Sequence, residues 1–299
     1  MIVVFGGINL DLVTRVALFP APGETVGDAS FATYPGGKGA NQALAAARAG
    51  ASVRMYGAVG RDAFAEPALS LLAAGGVDLD GVARVAAPTG CATILVDAHG
   101  ENCIAVATGA NAFADPDAVP DSVLASGTIV VLQHEVSAEA NAALIARARR
   151  RDARIILNAA PARPLPLELL RQIHVLVINE NEAAALASVH GWPPAPEAFA
   201  SAIVATMPAQ FVVVMTLGKE GALAAFGAER FHVPAHDVKI VDTTGAGDAF
   251  VGALAAALDA AVPLADALRF AVAAGSLACT AAGAQTALPH RAAIDAAFR

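Results

Sequence analysis

The ten residues Val241–Phe250, VDTTGAGDAF, set two glycines and an aspartate where an apolar helix begins. A helix start offers outward-pointing N–H groups and a partial positive charge, which suits an anion. Asp248 in that place either caps the helix or stands beside a bound anion for a chemical reason. Gly245 and Gly247 weigh toward the second reading, because a backbone without side chains lets a ligand approach closely. The N–H groups from about Ala246 to Asp248 then form an anion hole. Phosphoryl transfer to an alcohol needs this pairing. The N–H groups take up charge on the transferred phosphoryl, and the carboxylate accepts the proton of the attacking hydroxyl. Asp248 is read as the base that faces the acceptor hydroxyl.

Three further motifs carry polar groups suited to such a site. In YPGGKGANQALAAARAG, Gly36, Gly37 and Gly39 bare the backbone, and an apolar helix follows with Asn41 in its first turn. That arrangement suits a polyol. Lys38 is one of three lysines in the chain, and is either a surface charge or a contact to substrate or phosphate. GGINLD puts Asn9 and Asp11 at the end of the first strand, on one face by alternation, and an amide with a carboxylate is a good pair for sugar hydroxyls. In NENEA, Asn179 and Glu182 lie three apart at a strand-to-helix junction. They form a capping box or hold magnesium-bound water near phosphates; both readings stand.

Other signatures are absent. GGKGAN and LGKEGA lack the Ser or Thr that follows the lysine of a phosphate-binding P-loop, and GAGDAF lacks the third glycine of a dinucleotide fingerprint. No G-x-S-x-G or H-E-x-x-H occurs. His232 and His236 flank Pro234 and read as ordinary loop or strand residues. The formal charge is −8, and the one basic run, RARRRDAR, reads as a solvated helix face instead of a nucleic-acid patch. Three cysteines, Cys91, Cys103 and Cys279, lack metal-ligand spacing and fit reduced thiols in the cytoplasm. No signal peptide is read in MIVVFGG. The longest apolar stretch is broken by Asp259, Asp266 and Arg269, so it reads as two buried Ala-rich helices and not as a membrane span.

The elements that must position these groups follow from the apolar pattern. The chain has 299 residues, of which 56% are hydrophobic, ample for a full core. Runs such as SVRMYGAV, TIVVLQ, ARIILN, HVLVIN and QFVVVMTLG alternate with Ala/Leu helical segments. Continuous apolar strands between helices predict an α/β fold with a parallel sheet covered on both faces. Ligands sit past the carboxyl ends of such strands. There the polar groups Gln133–Glu135, Asn158, Asn179–Glu182 and Thr216–Gly218 face one crevice. Two segments, about 10–35 and 89–108, break the alternation and predict a small antiparallel β lid over that crevice. Residues 1–299 are read as one domain with this lid.

Taken in order, GGINLD, FPAPGETV, GGKGANQA, GENCIAVATGAN, LNAAPARPLP, NENEA, TLGKEGA, VDTTGAGDAF and GAQTALP resemble the ribokinase-like (PfkB) sugar kinases over nearly the whole chain. The resemblance implies a three-layer α/β sandwich with a small β lid that pairs with the lid of a second subunit. It implies transfer of the γ-phosphate of ATP, with magnesium, to a sugar hydroxyl. Ribose, giving ribose 5-phosphate, is the favoured acceptor; the alternatives are a kinase of another sugar or a nucleoside and, against the intact Asp248, glycines, Asn179 and Glu182, a catalytically silent sugar-binding protein. Asp248 is then the base, and Gly245, Ala246 and Gly247 the anion hole. Asn9, Asp11, Gly37, Lys38, Asn41 and Glu135 line the sugar site. Asn179, Thr216, Gly218, Gly221 and Gly247 line the nucleotide site, and Glu182 meets magnesium through water. A monovalent cation, potassium, is implied at Asp242, Thr244, Ala278, Ala281, Gly283 and Ala287. Ala287 stands where the family often has Ser, Val272 where a polar side chain often meets adenine, and Leu10 where a smaller residue is usual.

Overall fold

The computed structural model describes residues 1–298. The first strand, β1 (Ile2–Phe5), is wholly apolar and wholly buried. Its side chains alternate between two cores, Ile2 and Val4 in one, Val3 and Phe5 in the other. This is how a strand covered on both faces must read. From β1 the chain enters β2 (Asn9–Arg15) and β3 (Ser30–Gly36), then α1 (Lys38–Arg48), β4 (Val53–Val59), α2 (Ala65–Ala74) and β5 (Asp78–Arg84). A hairpin of β6 (Gly90–Val96) and β7 (Asn102–Ala107) follows, then short 3-10 turns, β8 (Ile129–Leu132), α3 (Ala138–Arg150) and β9 (Arg154–Asn158). Next come α4 (Leu167–Leu170), β10 (Val175–Asn179), α5 (Glu180–His190), α6 (Pro196–Thr206), β11 (Val212–Thr216), β12 (Ala222–Phe226) and β13 (Glu229–Val233). The chain closes with α7 (Ala246–Asp259), α8 (Leu264–Ala278), α9 (Ala284–Ala287) and α10 (Arg291–Phe298).

Nine strands form the main sheet in the order β13-β12-β11-β10-β9-β8-β1-β4-β5. Pairings from β11 to β5 are parallel, and β12 and β13 are antiparallel at one edge. Helices α1, α2, α7, α8 and α10 pack on one face, and α3 to α6 on the other. This is the expected mostly parallel three-layer sandwich. The two Ala-rich helices are α7 and α8, and no described helix is long and apolar enough to cross a membrane. The sequence reading missed β5 and the β12–β13 hairpin. β5 is an edge strand with one side to solvent, so it carries polar residues.

β2, β3, β6 and β7 form a separate four-stranded sheet in the order β3-β2-β6-β7. Both segments of the expected lid lie in it. Its two hairpins are antiparallel, but β2 and β6 pair in parallel, Asn9 with Gly90 through Arg15 with Val96. The lid sheet is therefore mixed, not wholly antiparallel. Each hairpin leaves the main sheet from the carboxyl end of a parallel strand, β2 after β1 and β6 after β5, so their first strands must run the same way.

The basic run is not simply solvated. Arg147 donates to the carbonyls of Pro116 and Val119 and pairs with Asp121, and so pins the 3-10 segments onto α3.

Candidate active site

The sugar-loop residues converge because glycines let two chain crossings touch. Gly37 has φ +88°, and a Cβ there would lie 2.7 Å from the Asn9 nitrogen. At Gly39 a Cβ would lie 2.7 Å from the Gly6 backbone. The Ala40 N–H donates to the Gly7 carbonyl at 3.0 Å, which seats the first turn of α1 on the crossing from β1 to β2. Asn9, Asp11, Lys38 and Asn41 are thereby gathered at the carboxyl ends of the central strands. Glu135, just past β8, joins them, its Oε2 accepting the Lys38 backbone N–H at 2.7 Å. Asn9 is held from behind by Asn111, which the sequence reading did not single out. Asn111 Nδ2 donates to Asn9 Oδ1 at 2.7 Å, and Asn111 Oδ1 accepts the Ile8 N–H at 2.9 Å.

These groups share one electrostatic field. Burial, and then the Asp248 charge, push the Asp11 carboxyl up to about 6. Burial pushes Glu135 up to about 7, against the pull of the Lys38 N–H and ammonium and with the push of Asp248 and Asp11. Asp248 does most to raise Lys38 above its ordinary value; burial opposes, and Glu135 and Glu182 add. Lys38 is thus the positive member of an acidic cluster, not a surface charge.

Asp248 does not cap its helix. The N-cap of α7 is Gly245, at φ +78° and without a side-chain hydrogen bond. Asp248 is 5% exposed, and each of its oxygens takes a donor from α1. Asn41 Nδ2 donates to Oδ2 at 2.9 Å, and Gln42 Nε2 to Oδ1 at 2.9 Å. Asn41 Oδ1 is buried and unpartnered, an acceptor left without a donor. The Ala246 N–H is engaged with the Thr243 carbonyl at 3.2 Å, so Gly247 and Asp248 supply the first free N–H groups of α7. A Cβ at Gly247 would meet nothing within 4 Å; the backbone there is open to a ligand.

A cavity of about 470 Å³ adjoins this helix start. Thr216, Gly218, Gly221, Gly247 and Val272 line it as expected, with Phe250 adding apolar wall. Its other wall was not foreseen: the loop 235–240, Gly275 and Ser276 on α8, and Cys279 at the C-cap of α8. The spacing 272, 275, 276, 279 is one helix face, and the small residues along it were the available signal. Asn179 is not in the cavity lining. It pairs with Thr216 in the sheet, and its side chain makes the capping box with Glu182 at 2.8 and 2.9 Å. The box uses one Glu182 oxygen and leaves the other. Burial raises the Glu182 carboxyl, helped by Asp248 and opposed by the Asn179 N–H and by Lys38, so Glu182 also faces the cluster.

Of the expected cation-loop residues, Asp242, Thr244 and Gly283 are brought together just before the start of α7. Asp242 accepts the Thr244 N–H and the Gly283 N–H, each at 2.9 Å. Burial pushes its carboxyl up, but these backbone donors outweigh it and hold the group below its ordinary value. The Val241 and Asp242 N–H groups reach the Cys279 carbonyl, past Ala278, the end of α8. A Cβ at Gly245 would lie 2.9 Å from Ala284 Cα, so the loop 283–287 abuts the start of α7. Among the described residues no three His, Cys, Asp or Glu side chains form a metal cluster.

Comparison with known proteins covers the chain from end to end. The profile of the pfkB family carbohydrate kinases matches residues 1–291. The ribokinase of Bacillus subtilis is 39% identical over 97% of this chain and 96% of its own. Among solved structures, the ribokinase of Thermotoga maritima superposes with a TM-score of 0.90 at 32% identity, covering 99% of this chain and 98% of that one. The ribokinase of Arabidopsis thaliana, solved with ribose and ATP, gives a TM-score of 0.90 at 31% identity, covering 100% of this chain and 98% of that one.

Proposed function

The chain belongs to the pfkB family of carbohydrate kinases, and we propose that it transfers the γ-phosphate of ATP to ribose, giving ribose 5-phosphate. The observation that carries this reading is the Asp248 carboxylate, buried and held by two amides at an open helix start. It stands between a polyol-lined crossing and a cavity of nucleotide-binding character. Full-length similarity to ribokinases supports ribose as the acceptor.

In the proposed reaction Asn9, Asp11, Asn41 and Glu135 hold the sugar hydroxyls, with Gly37 letting the two chain crossings that carry them close up. Asp248 accepts the proton of the attacking hydroxyl. The N–H groups at Gly247 and Asp248 receive the charge that develops on the transferred phosphoryl, and Lys38 adds a full positive charge nearby. ATP lies along Thr216, Gly218 and Gly221 with its adenine against Val272. Glu182 would meet a magnesium ion through water, and that ion would supply charge neutralisation at the phosphates. Asp242, Thr244 and the carbonyls of 278–287 would hold a potassium ion, which would add positive potential near the anion hole; Ala287 offers it no hydroxyl. The exposed lid residues Phe31, Ile104 and Val106 support a homodimer formed through the lid.

The test is release of ADP by the protein and by Asp248→Asn, with ribose, other sugars and nucleosides as acceptors. Asparagine keeps size and hydrogen-bonding reach but is no base. Turnover on ribose is expected to fall about 10²–10⁴-fold in the variant, with melting temperature and nucleotide affinity little moved. A preferred acceptor other than ribose would replace the substrate. A variant with near-normal turnover would remove Asp248 as the base.

A further inference from the structure

We infer that Gln42 is a positioning residue for the reaction, holding the Asp248 carboxylate on its acceptor hydroxyl through an amide relay anchored at the ends of β8 and β9. The inference rests on the reading of Asp248 as the base.

Gln42 is fully buried on a face of α1 otherwise made of Ala, Leu, Gly and Asn41. Every polar hydrogen and the oxygen of its side chain are in use. Nε2 donates to Asp248 Oδ1 at 2.9 Å and to Asn158 Oδ1 at 3.0 Å. Oε1 accepts from Gln133 Nε2 at 2.8 Å. Turned by half a revolution, the Gln42 oxygen would face two acceptor oxygens and its NH₂ would face another NH₂. Only one orientation satisfies the site, and it aims a donor at Asp248. Asn158 is fixed in turn, its Nδ2 donating to the Val177 carbonyl at 3.2 Å, and Asn141 Nδ2 holds the backbone carbonyl of Gln133 at 2.7 Å, while Gln133 Oε1 has no partner. The relay thus ties the carboxylate to the rigid strands of the main sheet.

Asn41 and Gln42 divide the work. Asn41 also donates to Asp248, but keeps an unpartnered oxygen and can adjust to a ligand. Gln42 has nothing spare and touches no ligand space. For stability alone an apolar side chain of the same size would serve as well, since a buried polar network must be wholly satisfied merely to break even. What only the amide supplies is a directed donor, which favours the ionised carboxylate.

The experiment compares Gln42→Met, which keeps length and loses the donor, and Gln133→Met, which frees the Gln42 oxygen, with Asp248→Asn. Steady-state kcat and KM are read separately, with melting temperatures on the same preparations. In Gln42→Met, kcat should fall about ten- to a hundredfold, the range for a hydrogen bond to a charged group, while KM for ATP and for ribose changes little. Gln133→Met should lower kcat by less, and carries the test if Gln42→Met does not fold. A kcat close to the parent's overturns the inference, and so does a fall in kcat matched by a rise in both KM values, because a purely structural role loosens binding and turnover together. If Asp248→Asn itself keeps its turnover, the base reading fails and the relay fails with it. If only Asp248→Asn loses activity, the relay alone is wrong.

Discussion

At the scale of the residue, the site is built from groups that are uncomfortable in the absence of substrate. Asp11 and Glu135 are raised to about 6 and about 7, burial first among the causes. Below about pH 3 both are protonated, folded or unfolded, and neither affects stability. As pH rises the unfolded chain ionises first, and the folded state resists until the raised values are passed. Stability is therefore lost as pH rises through about 7. Glu135→Gln should melt at a higher temperature than the parent at pH 8, by an amount equivalent to about 1–2 kcal/mol, and at nearly the same temperature at pH 4. Its KM for sugar should rise, since an amide replaces a carboxylate among the hydroxyls. Equal melting at pH 8 would mean that water reaches Glu135 freely. Residues of this kind were legible in the sequence where they stand beside glycines: Asp248, Lys38 and Asn9 announce themselves because an exposed backbone beside a polar group has a chemical use. Gln42 and Asn111 were not legible, because a lone amide within an apolar or loop segment has no spacing to mark it. Only the fold shows that it faces a carboxylate or an amide.

At the scale of the element, Asp248, the proposed base, and its donors lie on different helices, α7 and α1, and meet only because these helices nearly touch. Gly252 makes the contact. A Cβ there would lie 2.6 Å from the Gln42 carbonyl oxygen and 2.7 Å from the Ala46 nitrogen, both backbone atoms that cannot swing aside. Alanines line the rest of the crossing, with Ala45 opposite Gly252. Gly252→Ala must push the helices apart, and overpacking of this kind costs about 1–3 kcal/mol. Because Asp248 moves away from Asn41 and Gln42 together, kcat should fall by more than the melting temperature alone would suggest, roughly tenfold or more for a lost donor to a charged group. Melting curves and steady-state rates on the same preparation check this; reduced stability with intact kcat would show that the donors follow the carboxylate. The Ala-rich pattern made α7 and α8 legible as buried helices, but not which face meets which neighbour. In the same way the hairpins of the lid could be read from β6–β7, while the parallel β2–β6 join between them could not. It depends on where the main sheet releases the two hairpins, a long-range fact.

At the scale of the whole molecule, the lid is joined to the body by crossings that are tied by side chains. Asn111, on the segment returning from β7, holds Asn9 and the Ile8 N–H at the start of β2. Thr89, where the chain enters β6, is held by Asp62 and by the Gly60 N–H. Both ties lie at the base of the sheet, while its far end is open: β7 is exposed throughout, and Phe31, Ile104 and Val106 face outward. A sheet fixed at its base and free at its end can swing over the crevice, and Asp11, on β2, would swing with it. Sugar bound to Asp11 on the lid and to Asn41 on the body draws the two together. Closure would expel the water that otherwise hydrolyses ATP in place of transfer. Saturating ribose should therefore slow amide exchange in residues 30–36 and 90–107, and ATP alone should do so much less, because the nucleotide cavity has no lid residue in its wall. The measurement is hydrogen exchange at two protein concentrations. Protection that follows sugar at both concentrations supports closure. Protection that follows protein concentration and ignores sugar would assign the covered face to a second copy of the chain and make the lid a fixed interface.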